Sequence, residues 1–303
     1  MEELYEELRP RAFAIAYRML GSVSEAEDVV QEAMLRLHQV LESGEEIESP
    51  AAYLSTIVTR LAIDELRSAR ARRERYVGEW LPEPLVTADE NEPARHAEMA
   101  DSLSLAFLVL LEDLSPEQRA VFLLREVFDY PYSEIAEIVG KSEPAARQLA
   151  VRARGHVGEG GQRFSASRDE RDELARRFFA ATEEGDLESL EELLAEDVVL
   201  HGDGGGKAPA LAHPVHGRLR AARTLGAWAR VGERFGGFEL RPTEINGQPG
   251  ALALTADGLV ISALVLDIAE GQIQAVRGIV NPDKLQHLGP LADVNAMFRD
   301  GGS

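Results

Sequence analysis

Residues 132–157, YSEIAEIVGKSEPAARQLAVRARGHV, constrain this chain more than any other stretch. Ile135, Ala136 and Val139 recur at helical spacing, Gly140 stops that helix, and Ser142 caps the next one. In the second helix Ala146, Ala150, Ala153 and Val157 form the inward stripe, while Arg147, Gln148, Arg152 and Arg154 point away from it. Two short helices joined through a glycine turn, the second basic on its outer face, predict a helix-turn-helix. The residues nearest the start of its second helix, Ser142, Glu143 and Arg147, are expected at base edges, with Gln148 on the same face. Arg152 and Arg154 are expected at phosphates, which position the protein without specifying sequence. The alternative is a surface helix carrying ordinary arginines.

Net charge sets the condition that this reading has to meet. The chain carries −21 at neutral pH over 303 residues, and phosphate contacts supply most nucleic-acid affinity. Positive charge is nevertheless local: residues 141–154 hold four basic residues and one acidic one. The surplus acid elsewhere is expected to suppress nonspecific DNA binding by the free protein. With 45% hydrophobic residues the chain can fill real cores, and with no cysteine it has no disulfide, thiol catalysis or Cys-ligated zinc. It opens without a basic start followed by an apolar run, and its longest apolar stretch, residues 103–111, is too short to span a bilayer. A cytoplasmic protein is expected, with no membrane contact.

Five segments follow along the chain. Residues 1–77 read as helices. The second of these is predicted to open at Ser24, with Glu27 completing a capping box, and to face Val30, Ala33, Leu37 and Leu41 inward. Asp28, Gln31, Glu32 and Leu35 share its other face. The next helix begins at Ser49-Pro50 and ends basic, with Arg60, Asp64, Arg67 and Arg70 at successive turns; an intrahelical ion pair is one reading of Asp64. Residues 78–93 read as a linker holding Trp80, Leu81, Pro82, Glu83 and Pro84. Residues 94–158 are helical again, with Ser115-Pro116 opening one helix. A second linker covers 159–167. Residues 168–303 begin with helices and continue with a run of strands predicted to be antiparallel, an α+β domain.

The stretches SEAEDVVQEAMLRL, YLSTIVTRLAIDELRS and residues 114–157 together resemble the extracytoplasmic-function sigma factors. WLPEP at 80–84, DGGGK at 203–207 and NPDKL at 281–285 resemble the subgroup of these with a SnoaL-like C-terminal extension. The resemblance implies a multidomain chain: two all-α sigma domains, region 2 at 1–77 and region 4 at 94–158, then a cone-shaped α+β SnoaL-like domain at 168–303. It implies that Asp28, Gln31, Glu32 and Leu35 dock on core RNA polymerase. It places Tyr53, Arg60, Asp64, Arg67 and Arg70 at the melted minus-ten element, where single strands need aromatic platforms beside positive charge. The helix-turn-helix then reads the minus-thirty-five element. Arg60 stands where the family usually has Asn, Tyr53 where it often has Trp, and Pro144-Ala145-Ala146 where it has Gly-Thr-Val; these departures bear on promoter sequence rather than on role.

The resemblance also implies that Asp203, Gly204, Gly205, Gly206 and Lys207, with Asn281, Pro282, Asp283, Lys284 and Leu285, lie toward the linker and regulate in cis. Glu83 with Lys207 or Lys284 is one expected pairing; Asp203 with Lys207, or Lys207 with another acid, is a second. DGGGK is not a P-loop, since Ala208 stands where Ser or Thr is needed. SnoaL-like domains include cyclases and isomerases, and His201, Asp203, His213, His216 and Asp267 are the groups here able to move a proton. They form no dyad or metal set by spacing, so no catalytic residue, metal or cofactor is expected. Expected partners are core RNA polymerase, promoter DNA and an unidentified small molecule in the C-terminal cavity. The competing reading is a ligand-sensing DNA-binding regulator that works without polymerase.

Overall fold

The structure, a computed structural model, describes residues 2–44, 46–73, 75–87, 102–158, 168–234 and 236–300. The expected linker at 159–167 and residues 88–93 of the first linker lie outside these. The chain forms two compact units, one from residues 1–75 and 107–161, the other from 76–106 and 162–303.

The first unit contains α1 (Glu2–Leu20), α2 (Val23–Glu42) and α3 (Pro50–Arg73), packed on one another. Helix α2 opens two residues earlier than expected: Ser22, not Ser24, is the cap and accepts from the Glu25 N–H at 3.1 Å. Gly21, at φ 66°, has just ended α1, so the first extended residue after it takes the capping position. The expected inward stripe is otherwise found, with Val30, Ala33 and Leu37 buried.

The helices of the second half of this unit are α4 (Leu105–Leu110), which enters it from the linker, α5 (Pro116–Glu126), α6 (Tyr132–Val139) and α7 (Glu143–Gly158), with a 3-10 turn at Leu111–Asp113. Ser115 and Gln118 form a reciprocal capping box on α5. Gly140 ends α6 in the left-handed conformation at φ 64°, and Ala146, Ala150, Ala153 and Val157 of α7 are buried. Val121 and Leu124 of α5 close this core against Ile135 and Ile138.

Buried arginines tie the two halves of the unit together by satisfying carbonyls at helix ends, where donors are otherwise lacking. Arg119 of α5, 2% exposed, donates to the Met19 carbonyl of α1 at 2.6 Å and the Leu111 carbonyl at 2.9 Å, and pairs with Glu112. Arg18 is fully enclosed beneath the Phe128 ring, and burial lowers its pKa to about 10.

The second unit contains α8 (Arg168–Glu184), α9 (Leu187–Leu193), β1 (Leu194–Asp203), β2 (Val215–His216), α10 (Arg218–Arg234), β3 (Glu239–Ile245), β4 (Gln248–Leu254), β5 (Val260–Ala269), β6 (Gln272–Ile279) and α11 (Val294–Asp300). The six strands form one sheet in the order β2-β1-β6-β5-β4-β3. It is mixed rather than antiparallel throughout, because β1 pairs with β6 in parallel. The helix α10 and the β3–β5 meander lie between these two strands in sequence, so β1 is met by the last strand running the same way. Strand β1 also begins three residues before the expected DVVLHGD, and the two-residue β2 carried no periodicity to find. On one face Leu200, Ala251, Leu266 and Val276 pack against Phe178, Leu190 and Leu225 of the helices. Residues on the opposite face meet the linker.

Candidate functional site

On α2, Asp28, Gln31, Glu32 and Leu35 are all exposed. Leu35 is 51% exposed, unusual for a leucine flanked by charge, and Glu32 is tied to Arg36 at 2.8 Å.

On α3, Tyr53 is half-buried while Arg60, Asp64 and Arg67 are exposed; the Arg70 side chain lies outside what is described. Arg60 donates to the Glu137 carbonyl at 2.9 Å and the Ile138 carbonyl at 3.0 Å. It therefore caps α6, the first helix of the helix-turn-helix, whose C-terminal carbonyls favour a cation. Arg67 bridges Asp64 at 2.9 Å and Glu117 of α5 at 2.6 Å. The hydrogen bond from Arg67 holds the Glu117 carboxyl below the usual carboxylate range. The sequence signalled the Asp64–Arg67 pair but not these contacts with α5 and α6.

On α7, Ser142, Arg147, Gln148, Arg152 and Arg154 are exposed and Glu143 half-buried. Arg147 is bonded to Glu143 at 2.5 Å and sits 4.5 Å from the centre of the Tyr132 ring. Arg154 reaches Glu126 at 2.8 Å and the Tyr132 hydroxyl at 3.0 Å. Between them Val151 is 64% exposed, a position sequence reasoning passed over.

In the second unit the WLPEP segment lies on the sheet face opposite the helical core, held by the two motifs expected to meet it. Asp203 is fully buried. Its carboxylate accepts from the Tyr76 hydroxyl at 2.5 Å, the Leu81 N–H at 2.8 Å and the Lys284 ammonium at 2.6 Å. Lys284 also donates to the Leu81 carbonyl and lies 4.3 Å from the Trp80 ring centre and 4.9 Å from that of Tyr76. This cage desolvates one ion pair and gives both charges further partners, the condition under which such a pair is tolerated. Burial, and then the Asp203 carboxylate, push the Tyr76 phenol pKa upward.

The glycines of DGGGK are explained by the same contact. Gly205 and Gly206 have φ of 57° and 69°. A Cβ on Gly205 would lie 2.9 Å from the Tyr76 hydroxyl, and one on Gly206 3.0 Å from the Val77 Cβ. Gly205 and Gly206 thus let the turn press its backbone on the linker. Asn281 caps the NPDKL turn and donates to the Tyr76 hydroxyl at 2.8 Å, and Leu285 is buried beneath. Lys207 takes Asp283, at 2.5 Å, rather than Asp203 or Glu83. Pro82, Glu83 and Pro84 are buried.

Residues outside the motifs extend the grip. His287 bonds the Pro84 carbonyl at 2.7 Å, the Asn246 side chain takes the Leu85 N–H at 2.9 Å and donates to the Leu103 carbonyl at 3.0 Å, and Val86 bridges Ile245. Asn246 sits at φ 55° in the β3–β4 turn, which was its only sequence signal.

His201 bonds Glu79 of the linker at 2.7 Å, and Asp267 is paired with Arg277, whose pKa burial lowers to about 10. His213 and His216 are exposed. Among the described residues no group of three His, Asp or Glu could hold a metal, and no helix is long and apolar enough to cross a membrane.

Comparison with known families finds three matches along the chain. Residues 4–72 match the model for sigma-70 region 2, residues 104–157 that for sigma-70 region 4, and residues 175–280 that for the SnoaL-like domain. The chain belongs to the extracytoplasmic-function (ECF) sigma factors, in the group that carries a SnoaL-like domain after region 4. The ECF RNA polymerase sigma factor SigJ of Mycobacterium tuberculosis is 39% identical over 92% of this chain and 91% of its own. The crystal structure of that SigJ matches 96% of this chain and 100% of its own, with a TM-score of 0.75 at 35% identity. SigG of the same organism is 33% identical over 64% of this chain and 59% of its own.

Proposed function

We propose that this sigma factor binds core RNA polymerase through the exposed α2 face, reads promoter DNA with α3 and α7, and is controlled in cis by the grip of its second unit on the linker. The observation that carries the reading is the Asp203 cage, in which the chain between regions 2 and 4 supplies Tyr76, Trp80 and Leu81 to a buried ion pair. Control of this kind requires two states with different contacts. The unit 1 arginines supply a second difference: Arg60, Arg67, Arg147 and Arg154 all spend their donors on protein groups and must exchange them for DNA. The seam behind the linker is incompletely satisfied. Glu79 Oε2, Asp267 Oδ1, Arg277 Nε and both amide atoms of Gln248 are buried without a hydrogen bond. Orphaned groups of this kind cost free energy, which suits a contact that has to be released.

Run-off transcription with purified core polymerase tests the assignment. Leu35→Glu is expected to abolish core binding and transcription together, because a carboxylate replaces the one apolar anchor of the α2 face. Arg147→Ala is expected to leave core binding intact and lower promoter-specific transcript about tenfold, in line with about 1–3 kcal/mol for one good base contact. A chain that binds its promoter tightly without core polymerase would instead be a ligand-sensing regulator. An enzymatic role for the SnoaL-like domain is not supported: His201, Asp203 and Asp267 are engaged on the linker side of the sheet, away from the cavity on its other face.

A further inference from the structure

The cavity on that other face encloses about 240 Å³. Leu225 and Trp228 of α10, Phe238, Leu264 of β5, and Val294 and Met297 of α11 supply much of its wall. Among the described residues no titratable side chain lines it. The residues with polar side chains in its wall are Thr182, whose hydroxyl already donates to the Phe178 carbonyl at 2.8 Å, Ser262 and Trp228. An unpaired charge buried there would find no counter-ion. In size the space falls between a dry cavity of about 150 Å³, which accepts benzene, and the lower limit of about 300 Å³ for drug-sized ligands.

The cavity and the linker cage share their structural parts. Successive strand residues face opposite ways, so Gly202 lines the cavity while Asp203 holds the linker. Pro209, Ala210 and Leu211 line the cavity directly after the DGGGK turn. A Cβ on Gly204 would collide with Ala208 and Ala210, so turn and wall are already in contact. Helix α11 joins the same turn from the other side, where Asn295 donates to the Lys207 carbonyl at 2.5 Å. Two walls of the cavity therefore end on the turn that carries the cage.

We infer that the cavity is the receptor site for a small, uncharged, mainly apolar molecule, of the size of a one- or two-ring aromatic or terpenoid with a single polar group, and that its occupancy shifts the Asp203 cage. This rests on the reading that the cage controls the sigma factor. An uncharged naphthylamine dye, titrated into the full-length protein and followed by its emission, is the test. One saturable site per chain is expected. Ala253→Leu, which fills the wall, is expected to weaken it about tenfold or more, equivalent to about 1.4 kcal/mol; where that variant does not fold, Ser262→Phe, at a half-buried wall position, takes its place. Because coupling is reciprocal, Asp203→Asn is expected to change dye affinity about fivefold or more. Absence of a saturable site, equal binding by the filled variants, or unchanged affinity in Asp203→Asn would each overturn the inference. Run-off transcription by Asp203→Asn without dye reports separately on cis control: an altered transcript level with no dye site removes only the receptor.

Discussion

Asp203→Ala is expected to destabilise the second unit by about 3–5 kcal/mol, the cost of leaving one member of a buried ion pair alone. Lys284 would keep the Leu81 carbonyl and the faces of Trp80 and Tyr76 but lose the Asp203 carboxylate, and the Leu81 N–H and Tyr76 hydroxyl would lose their acceptor. Asp203→Asn retains an acceptor of the same size and is expected to fall short of that loss, which separates the charge from the hydrogen bonds. Urea unfolding followed by tryptophan emission, with Trp80 and Trp228 both in the second unit, reads both. A loss under about 1 kcal/mol for Asp203→Ala would mean that Lys284 reaches solvent on its own, and the cage would then not be the anchor of the linker. Both variants are also expected to change the yield of run-off transcript, since they loosen the same contact.

Arg119→Ala is expected to cost the first unit a comparable amount, about 3–5 kcal/mol. The guanidinium serves the Met19 and Leu111 carbonyls and Glu112 at once, from a position with almost no exposure. Its removal strands the Met19 and Leu111 carbonyls and takes the Arg119 cation from Glu112. Arg119→Lys restores charge but not the planar fork, so it is expected to recover only part of the loss. Thermal unfolding monitored by circular dichroism checks the ranking, wild type above Lys above Ala. Equal stability of all three would show that the joint between α1 and α5 is carried by its apolar contacts.

The elements of both units were largely legible because their signals are local. Gly140, the Ser115 cap with its following proline and the alanine stripe of α7 each depend on neighbours within a few residues, and the structure has them where the sequence put them. The cap of α2 was misplaced because Ser22 and Ser24 are chemically equal and only the end of α1 at Gly21 chooses between them. The parallel β1–β6 pairing was not legible, since strand direction in a sheet is decided by partners some seventy residues apart. For the clasp, the three motifs were recognised and Lys207 was open to an acid other than Asp203, but the pairing of Asp203 with Lys284 was not foreseen. Asp203 takes Lys284 and Lys207 takes Asp283, a choice made by burial: Lys284 is enclosed by two rings, whereas Lys207 stays in solvent. His287 carried no signal, and Asn246 none beyond its place in a turn, because a polar residue that bonds a distant backbone looks like any loop residue. Arg60 was marked for DNA; nothing in its own surroundings announces the α6 carbonyls it reaches.

The linker between regions 2 and 4 spans residues 76–106. A free chain of about thirty residues has a contour length on the order of 100 Å and behaves as a soft tether, for which the cost of bringing its ends to a given separation changes slowly with distance. Hydrogen bonds at residues 76, 81, 85 and 87 hold the described stretch along one sheet, and residue 103 is held to that sheet again. A chain held at fixed points is a stiffer spacer than a free one, and a stiff spacer raises the effective concentration of the module it carries only near the separation it was built for. On the reading proposed above, the clasp would convert a tether into a ruler: gripped, the protein is expected to favour promoters of one element spacing, and released, to accept a range of them.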